Sequence, residues 1–161
     1  MFAFALWDSR DKVLYLARDR VGKKPLYYTW DGRCFAFASE LKALTAGGFT
    51  GGEILPQALD TYFSFGYIPA PLTIYRDVKK LAPAVRMKVS GQGISSETYW
   101  DLDFRNPVPM TMAEAADELE SILREAVRCR LMSDVPLGAF LSSGLDSSLV
   151  VSFMSELSNE F

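Results

Sequence analysis

Residues 137–150 read LGAFLSSGLDSSLV, an apolar run that empties into a Ser/Gly turn and then into the start of an amphipathic helix. That order, strand, small-residue turn, helix, is how α/β folds hold phosphate. The turn directs backbone N–H groups into a concavity, and the helix adds its positive N-terminal end, so the site favours an anion before any side chain acts. The hydroxyls of Ser142, Ser147 and Ser148 supply further donors. Asp146 repels a bare phosphate, which leaves two readings for it: a helix-start carboxylate that satisfies N–H groups, or a ligand for Mg²⁺ carried on the phosphates.

Spacing excludes two rival signatures. A Walker-type loop places Lys beside Ser or Thr after its last Gly, whereas Gly144 is followed by Leu145. A nucleophile elbow needs Gly two residues either side of its Ser and a His base elsewhere. Ser142 is flanked by Phe140 and Gly144, and the chain contains no His.

Working outward, the segment at Asp101–Pro109, with Asn106-Pro107-Val108-Pro109 inside it, forbids regular pairing and is the best linker candidate. After it, Thr111-Met112-Ala113-Glu114 is a capping-box pattern. Ala115, Leu119, Ile122, Ala126 and Val127 then recur at helical spacing, with Arg128 and Arg130 where they complement the helix dipole. This helix is expected to lead into a strand around Leu137–Leu141, the loop, and a final helix from about Asp146 to Leu157.

Before the linker the pattern is different. Phe2–Trp7, Val13–Ala17, Leu26–Trp30 and Cys34–Ala38 are short apolar runs between polar turns, which predicts an antiparallel meander with a tight hairpin at Asp31-Gly32. Phe2–Trp7 resembles a signal core but lacks a basic leader and ends at Asp8-Ser9-Arg10-Asp11; it reads as a buried strand. Short helices are expected at 40–46, stopped by Gly47-Gly48, and at 56–65, with Pro56 near its start. Strand-like runs return at Thr73–Tyr75, Val85–Val89 and Glu97–Trp100, the last two joined by Gly91-Gln92-Gly93. The two halves therefore belong to different architectures.

Composition bounds the function. In 161 residues, 49% are hydrophobic and 13% aromatic, enough for a core, and 17 basic against 20 acidic residues give a net charge of -3. Nothing in that balance calls for nucleic acid or an anionic membrane surface, and no apolar stretch approaches the roughly 20 residues of a membrane span. Cys34 and Cys129 have no metal-type spacing and, without His, no Cys–His nucleophilic pair; both read as ordinary thiols of a reducing cytoplasm. Arg18-Asp19-Arg20 with Lys23 and Lys24 reads more simply as a solvated turn than as an anion site. Ser39 reads as a helix cap, and Tyr27, Tyr28, Tyr62, Phe63 and Phe65 as core aromatics.

The loop, preceded by Asp134-Val135-Pro136-Leu137-Gly138, resembles the pyrophosphate-binding loop of the ATP pyrophosphatase domain of glutamine-hydrolysing asparagine synthetases. The likeness runs through nearly the whole chain in order: Met1–Asp8 (MFAFALWD), Arg18–Tyr28 (RDRVGKKPLYY), Phe37–Leu44 (FASELKAL), Phe65–Pro69, Thr73–Tyr75 and Tyr99–Asp101. It implies an α+β part, residues 1–105, formed by antiparallel strands from the C-terminal half of an Ntn-type glutamine amidotransferase domain. Residues 110–161 would be the N-terminal part of the α/β ATP pyrophosphatase domain. Two positions depart from the family pattern: Ser143 and Ala84 stand where Gly is usual.

The reaction implied by the resemblance is activation of the aspartate β-carboxylate by ATP, with loss of pyrophosphate, and attack by ammonia released from glutamine. The implied ligands are ATP and Mg²⁺. The resemblance assigns the nucleotide to the backbone of Phe140 and to Ser142, Ser143, Gly144, Leu145, Asp146 and Ser147, with Asp146 on the metal. It implies small-molecule substrates (ATP, aspartate and glutamine), no nucleic acid or membrane partner, a cytoplasmic location, and leaves open a homodimer of the full-length protein. Ligases that form β-lactam rings or amidate other carboxylates share the loop, and a non-catalytic scaffold fragment is the alternative from another class.

The family's nucleophile is an N-terminal Cys, and no catalytic residue of that kind lies in these residues. One βα unit cannot bury both faces of a sheet, so residues 110–161 are expected to pack poorly alone. The 161-residue polypeptide is accordingly expected to release no ammonia from glutamine and to form no asparagine; measurable ammonia release from it would place a nucleophile inside this sequence.

Overall fold

The computed structural model describes residues 1–158, which fall into two units, 1–103 and 104–158. The first holds seven strands and two helices. β1 (Ala3–Asp8), β2 (Val13–Arg18), β6 (Val85–Ser90) and β7 (Gly93–Thr98) form one antiparallel sheet in the order β1-β2-β6-β7. β3 (Tyr27–Trp30), β4 (Phe35–Ala38) and β5 (Val78–Lys80) form a second, in the order β4-β3-β5. The first forty residues are thus two hairpins in separate sheets, not one meander, because β2 takes the distant β6 as its second neighbour.

Alternation along the strands builds the core. Leu16, Met87 and Val89 point from the first sheet onto Leu26 and Leu81, with Tyr28 and Phe35 of the second sheet packed against them. On the other face of the second sheet, Ala36 and Val78 pack with Leu44 of α1 (Leu41–Ala46). A strand residue that faces one cluster is followed by one that faces the other, as Phe35 and Ala36 show.

The outer face of the first sheet is open. Its register places Phe4, Leu6, Tyr15, Ala17, Arg86, Lys88, Ser95 and Glu97 on that side. β1 is therefore not the buried strand that its composition suggests: Phe4 and Leu6 on the open face are 49% and 57% exposed, and Trp7 on the opposite face, near the end of the strand, is also 57% exposed. As an edge strand of a sheet that buries one face, it has little to cover it.

Local signals explain most element ends. At the β3–β4 hairpin the Asp31 carboxylate accepts the N–H groups of Arg33 and Cys34, both at 2.7 Å. Pro56 opens α2 (Pro56–Phe65), and Gly66 closes it in the left-handed conformation with its N–H on Tyr62 O at 2.7 Å. α1 has Glu40, not Ser39, at its N-cap, and no side chain caps it. Thr73–Tyr75 contributes only an isolated bridge from Tyr75 to Ile54. The Thr73 hydroxyl is instead used to brace the loop, donating to Val78 O at 2.8 Å while accepting Tyr75 N–H at 3.1 Å. β5 was not legible as a strand, and β7 begins four residues earlier than expected. Of the expected core aromatics, Tyr27 and Tyr28 are half-buried; Tyr62, Phe63 and Phe65 are exposed, although Tyr62 and Phe65 share a helix face with Ala58, the buried residue of α2.

Arg18 and Asp19 are not a solvated turn. The Asp19 side chain is 5% exposed and accepts N–H groups from Phe2, Val21, Lys23 and Lys24 at 2.9–3.3 Å. The Arg18 guanidinium donates to the carbonyls of Gly22, Lys24 and Leu81. Gly22 sits inside this knot, where a Cβ would meet Pro83 Cγ at 2.8 Å. Arg20 lies over the Trp100 ring, 5.4 Å from its centroid.

The second unit contains α3 (Met112–Arg128) and α4 (Leu145–Leu157). The capping box is present: Thr111 Oγ1 accepts Glu114 N–H at 3.3 Å and the Glu114 carboxylate accepts Thr111 N–H at 2.7 Å. Arg124 ties the helices together, bonded to Glu120 in α3 and Glu156 in α4 and lying 4.8 Å from the Phe153 ring centroid. Val127 and Phe153 are its buried hydrophobic residues. The strand expected at Leu137–Leu141 is not formed; the segment has no hydrogen-bonded ladder, and no strand stands beside it among the described residues. The observed fold is α+β with antiparallel sheets in the first unit and a helix pair in the second.

Two outcomes follow from these contacts. Burial raises the Asp19 pKa, but the four N–H donors more than offset it and hold the group at about 2. A carboxylate depressed below its unfolded value of about 3.9 contributes fully above that pH and loses its contribution as the pH falls towards 2. Asp19→Asn should therefore lower stability by about 2 kcal/mol at pH 6, with the gap to wild type closing between pH 4 and 2 in urea titrations; a gap independent of pH would sink this account. Ala84 is buried with φ +55°. Left-handed backbone costs an L-residue about 1 kcal/mol, so Ala84→Gly should raise the thermal midpoint, and a lowered one would show that the methyl's packing outweighs the strain.

Candidate functional site

Ser142–Ser147 forms an exposed turn that delivers the chain into α4. The helix starts here because Gly144, at φ -80° and ψ 149°, is extended enough to act as N-cap, while Leu145 onward is helical. Gly144 O accepts the first intrahelical bond, from Ser148 N–H at 3.2 Å. The N–H groups of Leu145, Asp146 and Ser147 occupy the first turn, where a helix offers no internal acceptor. They carry the positive end of a 13-residue helix.

The serines close the turn on itself. Ser142 Oγ lies 2.7 Å from Ser147 Oγ and accepts Gly144 N–H at 3.2 Å. Ser147 Oγ is also 3.0 Å from Gly144 O, and Ser148 Oγ donates to the same carbonyl at 2.9 Å. Gly144 is therefore held in a small cradle: a Cβ there would sit 3.2 Å from Ser142 Oγ and 3.8 Å from Ser147 Oγ. Ser143 is not in left-handed backbone, so its departure from the family's Gly carries no φ penalty. Only the crowding of an approaching ligand by its Cβ remains as a consequence.

Asp146 is in the first turn of α4, but no side chain caps that helix. The capping reading of Asp146 is thus not realised. Its carboxylate is exposed, in the first turn, where a negative charge complements the helix dipole. Phe140 and Leu141, the residues entering the loop, are also exposed.

The donor set sets a limit on any metal. Among the described residues no three His, Cys, Asp or Glu side chains gather into a metal-binding group. A single carboxylate beside unsatisfied N–H groups does not make an all-protein cage. It suits Mg²⁺, which keeps its waters and takes one or two carboxylates with phosphate oxygens as the other ligands. The residues present therefore fit a metal that arrives with a phosphate ligand. Chemically, the turn can hold an anion by N–H donation and offer one carboxylate to its counter-ion.

Elsewhere, Cys34 and Cys129 are free and exposed. The Cys129 thiol bonds Glu125 Oε1 at 3.0 Å, and that contact pushes its pKa up, away from a nucleophilic thiolate. No helix of the described residues is long and apolar enough to cross a membrane. The feature that sequence reasoning misjudged is the Arg18–Asp19 knot, a buried structural centre that looked like a charged surface turn. Its one available signal was Gly22 between two charged pairs, since a glycine there permits the close approach.

Comparison with known proteins gives two family matches. The family model for a glutamine amidotransferase domain matches residues 1–100, and the model for asparagine synthase matches residues 118–160. Glutamine-hydrolyzing asparagine synthetase 1 of Bacillus subtilis (strain 168) is 40% identical over 157 residues, covering 97% of this chain and 24% of that protein. Glutamine-hydrolyzing asparagine synthetase 3 of the same organism is 35% identical over 151 residues, covering 93% of this chain and 24% of that protein. The chain spans about a quarter to a third of the length of the curated relatives it matches. A solved glutamine phosphoribosylpyrophosphate amidotransferase from B. subtilis has a TM-score of 0.36 and 15% identity over 90% of this chain and 28% of that one, too distant to add to the assignment.

Proposed function

Because the chain belongs to the glutamine amidotransferase family and, within it, to the glutamine-hydrolysing asparagine synthetases, we propose that it is a segment of an ATP-dependent ligase that moves the amide nitrogen of glutamine onto the carboxylate of aspartate. The observation that carries the reading is the tandem order in one chain: an amidotransferase match over 1–100 followed by a synthase match over 118–160. The exposed Ser142–Ser147 turn lies within the second match. Its place there supports ATP as the anion that the turn receives.

In this reading the first-turn N–H groups of Leu145, Asp146 and Ser147 and the hydroxyl of Ser142 hold pyrophosphate oxygens. The backbone of Phe140 runs beside the nucleotide, and Ser143 borders the approach. Asp146 is the residue that would hold Mg²⁺ together with phosphate oxygens, and the metal would supply positive charge against the departing pyrophosphate. The chain's own contribution is preorganisation. The Ser142–Ser147 hydroxyl contact fixes the turn before ligand arrives, so its backbone N–H donors stabilise developing charge without rearranging. Two exposed free thiols suit a reducing compartment, and the cytoplasm is the proposed location.

The test uses the full-length protein. Asp146→Asn should cut ATP–pyrophosphate exchange steeply while leaving the thermal midpoint nearly unchanged, since no capping bond is lost; unchanged exchange would remove Asp146 from the metal. Ser143→Gly should leave the fold intact and tighten Mg-ATP binding severalfold by clearing the approach to the loop. Weaker binding in that variant would mean that the Ser143 hydroxyl is itself a ligand.

A further inference from the structure

We draw no further inference here: the strongest candidate, the open apolar face of the four-stranded sheet around Phe4, Leu6 and Tyr15, carries nothing because nothing in the structure shows what covers it.

Discussion

The first unit depends on the desolvated Asp19 carboxylate and the N–H groups that surround it. Four donors converge on its two oxygens, from Phe2 at the start of β1 and from Val21, Lys23 and Lys24 in the turn after β2. Its backbone adds three more ties: Asp19 N–H to Phe2 O, and Gly22 and Ala84 N–H to Asp19 O. A carboxylate buried without such partners costs several kcal/mol, so once Asp19 is inside, the surrounding chain has little freedom. Arg18, beside it, spreads a guanidinium over three carbonyls and so fixes the turn against Leu81.

That knot also sets where the chain leaves the first unit. The Tyr99 hydroxyl donates to Arg18 O at 2.6 Å, and Tyr99 N–H bonds Ala84 O at 2.8 Å. The end of β7 is thereby stitched to β2 and to the left-handed Ala84 that precedes β6. The charged residues that give this segment a surface-like composition are spent on backbone groups. Turns that carry buried carbonyls and N–H groups need such partners, and Arg supplies several donors at once.

The second unit is held in another way. Arg124 joins two glutamates and the Phe153 ring, and Val127 and Phe153 are the buried hydrophobic positions. Exposed ion pairs contribute little individually, so the helix pair rests on modest apolar burial. Its loop is nevertheless ordered locally, because Ser142, Ser147 and Ser148 satisfy each other and Gly144 O. The anion-binding role proposed for the turn thus rests on local chemistry.

The sequence by itself determined the elements whose causes are local. The capping box at Thr111–Glu114, the Asp31-Gly32 hairpin, Pro56 and Gly66 bounding α2, and the Ser/Gly turn into α4 each follow from side chains within a few residues. It also carried the family, because the resemblance is spread in order over most of the chain. Tertiary structure decided what depends on distant partners: β2 pairing with β6 rather than β3, β5 forming beside β3, and β1 lying exposed at a sheet edge. The same dependence left Leu137–Leu141 without strand structure, since a strand has no hydrogen bonds of its own to make. Burial of Asp19 has a local part, since Val21, Lys23 and Lys24 lie within five residues of it, but the linear reading could not place Phe2 and Ala84, whose arrival from distant segments closes the site around the charge.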